Sequence, residues 1–159
     1  MKLTRRETMR VAGAAALTVA GTRAFSEGTV HEVQMLNKGG PEGKDNMVFE
    51  PPVIRIEPGD TVNFVSVDRG HNSAATDGML PEGAEPWKGK IGKDIEVTFD
   101  VEGAYGYNCT PHKTVGMVGL ILVGNVDNLE ALKEVRQRGK AKQRYEEYFA
   151  MAEEMLAGS

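Results

Sequence analysis

The sequence has 159 residues, enough for one domain of ordinary size with a buried core and too few for two. Apolar residues make up 40% and charged residues 26% of the chain, which excludes an intrinsically disordered protein and a bundle of membrane helices. The net charge of −4 becomes −8 without residues 1–26, which hold five basic and one acidic side chain. Nucleic-acid binding is therefore not expected, because no basic stripe is present to neutralise phosphates.

The first 26 residues have the pattern of an export signal. Basic residues precede an apolar run over 11–20, which has the length of a signal-peptide core and is too short to span a bilayer. The pair Arg5-Arg6 resembles the twin-arginine signal of the Tat route, with an ordinary Sec signal as the alternative. Small residues before position 27 predict cleavage after Ser26. The sequence thus predicts a signal peptide over 1–26 and a periplasmic mature protein without membrane insertion.

Short segments rich in strand-forming residues follow, separated by clusters of Gly, Pro, Asn and Asp that favour turns. In the segment 95–100 apolar and polar side chains alternate, as expected of a strand with one buried face. This pattern predicts a mainly β domain over 27–125, either a sandwich or a barrel. The predicted strands cover 30–36, 53–57, 61–67, 95–100, 104–108 and 117–123.

The C-terminal residues 126–159 predict two helices that pack on the same domain. Asp127 or Asn128 is expected to cap the first helix, and Gly139 separates it from a second helix over about 141–156. In the second helix apolar side chains recur three and four residues apart, which predicts one apolar stripe facing the β domain. The stripe consists of Tyr145, Tyr148, Phe149, Met151, Ala152 and Met155.

Cys109 is the single cysteine of the sequence, so an intramolecular disulfide is impossible. With His112 and Met117 it forms a C-x2-H-x4-M motif, and thiolate, imidazole and thioether ligands together favour copper. A blue-copper site needs a second histidine. His71 is the candidate because it follows a predicted strand, whereas His31 lies in an alternating strand pattern and is assigned to the surface. The sequence therefore predicts one copper ion held by His71, Cys109, His112 and Met117.

Such a ligand set is compatible with more than one function. An electron carrier exchanges one electron at the copper, whereas a periplasmic copper chaperone or buffer hands over the metal itself. Chaperones usually have methionine-rich or paired-thiol sites, and the methionines here are dispersed. An enzyme needs an open coordination position or a second copper site, for which three histidines do not suffice. The carrier is favoured, the chaperone or buffer is the alternative, and no enzymatic activity is expected.

Several motifs of the mature chain resemble the pseudoazurins, a family of cupredoxins. The resemblance implies a Greek-key β sandwich or barrel of eight strands, two C-terminal helices, one type 1 copper and a monomer. It also implies electron delivery to a periplasmic reductase of denitrification, such as nitrite reductase, with a cytochrome c as a candidate donor. The motifs are Met-Leu-Asn-Lys-Gly at 35–39, Met-Val-Phe-Glu-Pro at 47–51, Pro-Gly-Asp-Thr-Val at 58–62, Gly-His-Asn at 70–72, Pro-Glu-Gly-Ala-Glu at 81–85 and Gly-Ala-Tyr at 103–105.

The resemblance also implies roles around the ligands. The backbone N–H of Asn72 is expected to donate to the sulfur of Cys109. Pro111 has no N–H, so the loop at that position cannot supply a second donor. A thiolate with fewer hydrogen bonds donates more charge to the metal, which is expected to stabilise Cu(II) and lower the reduction potential.

A docking surface is expected around the exposed edge of His112. In the family this edge emerges through an apolar patch, here formed by Met47, Pro111 and Val115. Basic side chains are expected to surround the patch and meet an acidic partner. Asn108 replaces a lysine that pseudoazurins commonly carry before the ligand cysteine, so electrostatic steering is expected to be local and modest. The basic side chains are Lys38, Arg69, Lys88, Lys90 and Lys113.

Overall fold

Eight strands form two sheets in the computed structural model, which describes residues 28–158. The predicted signal peptide, with Arg5-Arg6 and the cleavage site after Ser26, lies outside the described residues. Two short 3₁₀ helices, Pro41–Gly43 and Thr110–Val115, interrupt the strands. The strands are β1 (Val30–Gly39), β2 (Asp45–Glu50), β3 (Val53–Ile56), β4 (Asp60–Val65), β5 (Ala74–Ala75), β6 (Ile95–Phe99), β7 (Gly103–Asn108) and β8 (Val118–Val123).

The two sheets have four strands each, in the orders β2-β1-β4-β6 and β3-β8-β7-β5. The β1–β4 and β3–β8 pairs are parallel, and the other pairs are antiparallel. The chain passes between the sheets several times, once at the turn between β3 and β4 that contains Gly59. Gly59 has φ 93°, a left-handed conformation that costs little for glycine. The mainly β architecture predicted from the alternating segments is confirmed.

Aromatic side chains fill the core between the sheets. The ring of Tyr107 lies 4.7 Å from that of Phe49 and 5.1 Å from that of Phe64, measured between centroids, in edge-to-face arrangements. Cys109 and Met117 belong to the same buried cluster. Two predicted copper ligands are therefore continuous with the aromatic core between the sheets.

The outer face of the second sheet is covered by two helices, α1 (Leu129–Lys133) and α2 (Gly139–Ala157). All six residues of β8 are buried. Ile121 faces the core between the sheets, whereas Leu120 and Leu122 pack under the helices. This two-sided burial explains why β8 is a continuous apolar run rather than an alternating one. Within residues 28–158, neither helix combines the length and the apolar character needed to cross a membrane.

Two strands and one helix cap differ from the sequence prediction. The polar start of β2 and the left-handed backbone of Met47, with φ 54°, break the alternation that would have predicted that strand. β5 has two residues and is defined by its pairing with β7. Asn128 precedes α1 but does not cap it, because its side chain donates to the carbonyl of Ala104 at 3.0 Å and accepts from the Ala104 N–H at 2.6 Å.

The buried face of α2 is also different from the predicted stripe. Tyr145, Tyr148, Phe149 and Ala152 are buried as expected, whereas Met151 and Met155 are each 37% exposed. Gly139 begins α2 rather than separating the helices. Arg144, which the pattern assigned to no buried position, is 4% exposed. The face of α2 that packs on the sheet therefore includes Arg144, and Met151 and Met155 lie at its exposed edge.

His31 was expected at the surface, but its side chain is 31% exposed and its Nε2 lies 2.8 Å from Oδ2 of Asp60. The carboxylate also accepts the backbone N–H groups of Thr29 at 2.7 Å and Glu57 at 3.1 Å. Burial acts to raise the pKa of Asp60, but these hydrogen bonds together hold it below its ordinary value. Asp60 therefore fastens β1 to the turn before β4.

Replacing Asp60 by Asn should lower the free energy of unfolding at neutral pH by about 2 kcal/mol, because hydrogen bonds to a charged group contribute about 1.5–3 kcal/mol. The pKa of Asp60 is lower in the folded than in the unfolded protein. Its contribution is thus present above the unfolded-state pKa and is lost as the pH falls through the folded-state pKa. Urea unfolding of both proteins at neutral pH and at a pH of about 2 measures this difference.

The matched control is Glu96→Gln, which changes an exposed carboxylate on β6 of the same sheet. It should leave stability almost unchanged at both pH values. An Asp60→Asn variant that is destabilised equally at neutral and acidic pH would contradict the assigned role of the carboxylate.

Candidate metal centre

The four predicted ligands come from two segments that follow strands of different sheets. His71 lies in the turn after β4, and Cys109 comes directly after β7. His112 lies in the 3₁₀ helix Thr110–Val115, and Met117 immediately precedes β8. The N–H of Cys109 donates to the carbonyl of Met117 at 2.9 Å, and the N–H of Met117 donates to the carbonyl of His112 at 3.1 Å. These bonds close the loop, so that its three ligands are fixed relative to one another.

His71 joins them from the other segment. Its Nδ1 lies 3.1 Å from Nδ1 of His112 and 3.8 Å from Sγ of Cys109, and that sulfur lies 3.4 Å from Nδ1 of His112. The point equidistant from the three atoms is about 2.0 Å from each, the length of a metal–imidazole bond in proteins. Within residues 28–158 these three form the one group of histidine, cysteine or acidic residues with metal-binding geometry. The arrangement fits a trigonal metal.

The chemistry of the donors fits copper. Two imidazoles and one thiolate in a plane, with a methionine nearby, are the ligands of a blue-copper site. His71, Cys109 and Met117 are each 0% exposed, so the site is shielded from water except on the His112 side. When bound, a copper ion supplies one-electron exchange between Cu(II) and Cu(I).

Burial affects the protonation of both buried donors. It lowers the pKa of His71, with His112 acting in the same direction and Asp68 in the opposite one. The neutral imidazole that a metal requires is therefore favoured at neutral pH. Burial raises the pKa of the Cys109 thiol. A metal ion is thus needed to hold this cysteine as a thiolate, and metal binding should release its proton.

Asn37, a residue outside the predicted site, orients His71. Its Oδ1 lies 2.8 Å from Nε2 of His71. Because an amide oxygen only accepts, Nε2 carries the proton and Nδ1 presents its lone pair toward His112 and Cys109. Asn37 lies near the end of β1, and the contact depends on the long-range pairing of β1 with β4. Local sequence spacing gives no signal for it.

Asn72 joins the two ligand segments. Its side chain accepts the N–H of Thr110 at 2.7 Å and donates to the Thr110 hydroxyl and the Gly89 carbonyl, each at 3.0 Å. Asn72 is 1% exposed. Since His71 and Cys109 are the immediate neighbours of Asn72 and Thr110, these bonds set the separation of the two ligands.

Two backbone N–H groups act on the Cys109 thiol against the effect of burial, which is the larger influence and raises its pKa. The backbone N–H of Asn72 faces the thiol and acts to lower its pKa, as expected, but the N–H of His112 acts in the same way. That N–H also donates to the carbonyl of Cys109 at 3.1 Å. Pro111 has no N–H to donate to the sulfur, but the N–H of His112, the next residue, acts on the thiol. The lower reduction potential expected from a thiolate with few hydrogen bonds stays a prediction.

Comparisons with known proteins agree with this geometry. Residues 33–124 match the family model of copper binding proteins, plastocyanin/azurin family. A pseudoazurin from Paracoccus pantotrophus is 46% identical over 134 residues, which cover 84% of this chain and 89% of the relative. The chain belongs to the pseudoazurin family.

Solved structures of the family support the same assignment. A pseudoazurin from Sinorhizobium has a TM-score of 0.75 at 51% identity and covers 79% of this chain and 97% of its own. The pseudoazurin of Methylobacterium extorquens AM1 has a TM-score of 0.72 at 43% identity and covers 77% and 98%. The predicted cupredoxin fold and the copper cofactor are confirmed, and His71, Cys109 and His112 lie together as predicted. The protein is a blue-copper electron carrier.

Asn37→Leu should weaken copper binding by about 10- to 100-fold, the usual effect of removing a partner that orients a ligand histidine. The imidazole of His71 would then rotate and exchange protons between its two nitrogens. Competition with a chelator of known copper affinity measures the change. Asn125→Leu is the matched control, because Asn125 is exposed and follows β8 at the end opposite the ligand loop. Unchanged affinity in Asn37→Leu would contradict the role of Asn37.

Proposed function

We propose that this electron carrier works in the periplasm and delivers electrons to a reductase of denitrification, such as nitrite reductase, through the edge of His112. The four ligands are unequally buried, and this difference supports the proposal. His71, Cys109 and Met117 are each 0% exposed, whereas His112 is partly exposed. A partner can therefore approach the metal most closely along the His112 ring.

Three apolar residues are proposed to form a docking patch at the exposed edge of His112. Pro111 is exposed, and Val115 is 47% exposed. Met47 is partly buried and packs against the core cluster that contains Cys109 and Met117. An exposed apolar patch of this kind favours a short-lived protein contact from which water is readily excluded. The three residues support the predicted docking patch.

Basic side chains lie near the ligands in the chain. Lys38 follows Asn37, the partner of His71, and Arg69 lies two residues before His71. Lys90 lies two residues before Gly92, whose N–H donates to the carbonyl of His71 at 2.8 Å. Lys88 and Lys113 line one surface groove. This distribution supports an acidic partner surface, because charges near the contact raise the association rate most.

Two arginines outside the predicted set of docking residues add to this charge. Arg136 and Arg138 line a groove together with Lys113 and Thr114 of the ligand loop. Asn108, by contrast, is 7% exposed and donates to the hydroxyl of Thr76 at 2.8 Å, so it presents little to a partner. The arginines thus offset the missing lysine at position 108, although the mature chain is acidic overall.

The remaining parts of the proposal rest on the sequence. The predicted signal peptide supports export to the periplasm, where a cytochrome c is a candidate electron donor. The carrier is proposed to act as a monomer, since a partly exposed His112 has to meet donor and acceptor in turn.

Charge reversal at the docking surface tests the proposed partner. Lys113→Glu should slow electron transfer from the reduced protein to a copper nitrite reductase by about tenfold at low ionic strength, because steering by complementary charges changes association rates by about 10- to 1000-fold. Stopped-flow bleaching and recovery of the copper chromophore gives the second-order rate constant. The difference from the parent protein should shrink as salt screens the charges.

Arg55→Glu is the charge-matched control. Arg55 lies on β3 and pairs in register with Leu122, toward the end of the sandwich opposite the copper loop. It should change the rate constant little. Equal slowing by both variants, or a Lys113→Glu effect that is independent of salt, would contradict docking through the His112 surface.

A further inference from the structure

Arg144 is a buried charge on the inner face of α2, with 4% of its surface exposed. Its Nη1 donates to the carbonyls of Met47 at 2.9 Å and Gly116 at 3.0 Å, and its Nη2 donates to the carbonyl of Asn46 at 3.1 Å. The carboxylate of Asp45 lies 3.5 Å from Nη2 and is 47% exposed. The guanidinium is thus held mainly by backbone carbonyls, with one weak ion pair.

The carbonyl of Gly116 lies directly before the ligand Met117. Gly116 has φ 94°, and a Cβ at this position would lie 3.1 Å from Cδ of Arg144. The missing side chain allows Arg144 to lie against the ligand loop. The backbone of the loop and the guanidinium therefore form one packed unit at the point where the chain turns toward the copper.

Arg144 also holds the backbone at Met47. This residue has φ 54°, a left-handed conformation that is unfavourable for a side chain without a special constraint. Arg144 donates to the carbonyls on both sides of the turn, at Asn46 and Met47. The same side chain thus positions a residue of the apolar patch and the residue before Met117.

Attachment of α2 does not require a buried charge. Tyr145, Phe149 and Ala152 already pack the helix onto the second sheet. Burying a guanidinium costs free energy unless its donors are satisfied, and the geometry here satisfies them with carbonyls of the ligand loop and β2. The arginine guanidinium is planar and carries several N–H donors, so it can bind all three carbonyls at once. The ammonium group of a lysine does not reproduce this geometry.

We propose that Arg144 is a positioning residue for the copper site: it holds the Gly116 carbonyl and the left-handed turn at Met47, and thereby sets the placement of the Met117 side chain. The adjacent Tyr145 acts at the other end of the loop, since its hydroxyl donates to the carbonyl of Tyr107 at 2.9 Å, two residues before Cys109. The C-terminal helix then braces both ends of the ligand loop. This inference rests on the copper function of the family and not on the proposed reductase.

The test uses Arg144→Lys and Arg144→Gln, with Lys142→Gln as the control. Lys142 is exposed on the same helix, 3.8 Å from Glu146. In the metal-free protein, amide exchange at Gly116 and Met117 should accelerate by about tenfold or more in both Arg144 variants, because local opening of the loop becomes easier. In the copper-loaded protein, the intensity ratio of the two thiolate-to-copper absorption bands should change in both variants. The control should match the parent in both measurements.

The Arg144→Lys variant distinguishes positioning from charge. If lysine restores both the exchange rates and the band ratio, the charge alone suffices and the proposed positioning by the guanidinium fork is wrong. Parent-like exchange and band ratio in both variants, with only a lower melting temperature, would also overturn the proposal. If Arg144→Gln does not fold, Arg144→Lys alone makes the same distinction. Neither readout involves a reductase, so failure here is distinct from failure of the proposed partner.

Discussion

The hydrogen bonds of the Asn72 side chain join the two segments that carry the copper ligands. Asn72 accepts from the N–H of Thr110 and donates to its hydroxyl and to the carbonyl of Gly89. His71 and Cys109 are the chain neighbours of Asn72 and Thr110, so the separation of nitrogen and sulfur depends on these bonds. Hydrogen bonds within the protein therefore hold the two ligand segments together, and a site held in this way limits the rearrangement that accompanies electron transfer.

The rest of the fold supports this junction from two sides. The aromatic core between the sheets packs against Cys109 and Met117 and excludes water from three of the four ligands. On the outer face of the second sheet, α2 contacts both ends of the ligand loop through Arg144 and Tyr145. The one side left accessible is that of His112. The same contacts therefore hold the copper ligands in place and leave His112 as the side from which a partner can approach the copper.

Local patterns were sufficient to predict most strands and all four ligands. The C-x2-H-x4-M spacing lies on a single loop, and the alternating segments identify strands with one buried face. Contacts between distant segments were not predictable in the same way. Asn37 reaches His71 through the pairing of β1 with β4, β5 exists only as the partner of β7, and Arg144 is buried because carbonyls from β2 and the ligand loop converge on it. A helical pattern alone assigns such an arginine to the exposed face and Met151 and Met155 to the buried one.

The visible spectrum of the copper-loaded protein through a cycle of reduction and reoxidation shows whether the bound copper exchanges electrons reversibly. We expect an intense thiolate-to-copper band that bleaches with ascorbate, returns fully on oxidation and is absent in Cys109→Ser, because a ligand set of two imidazoles and one thiolate serves both oxidation states. A colourless protein that binds Cu(I) and does not return to the oxidised spectrum would contradict this expectation. That result would instead indicate a protein that stores or transfers copper.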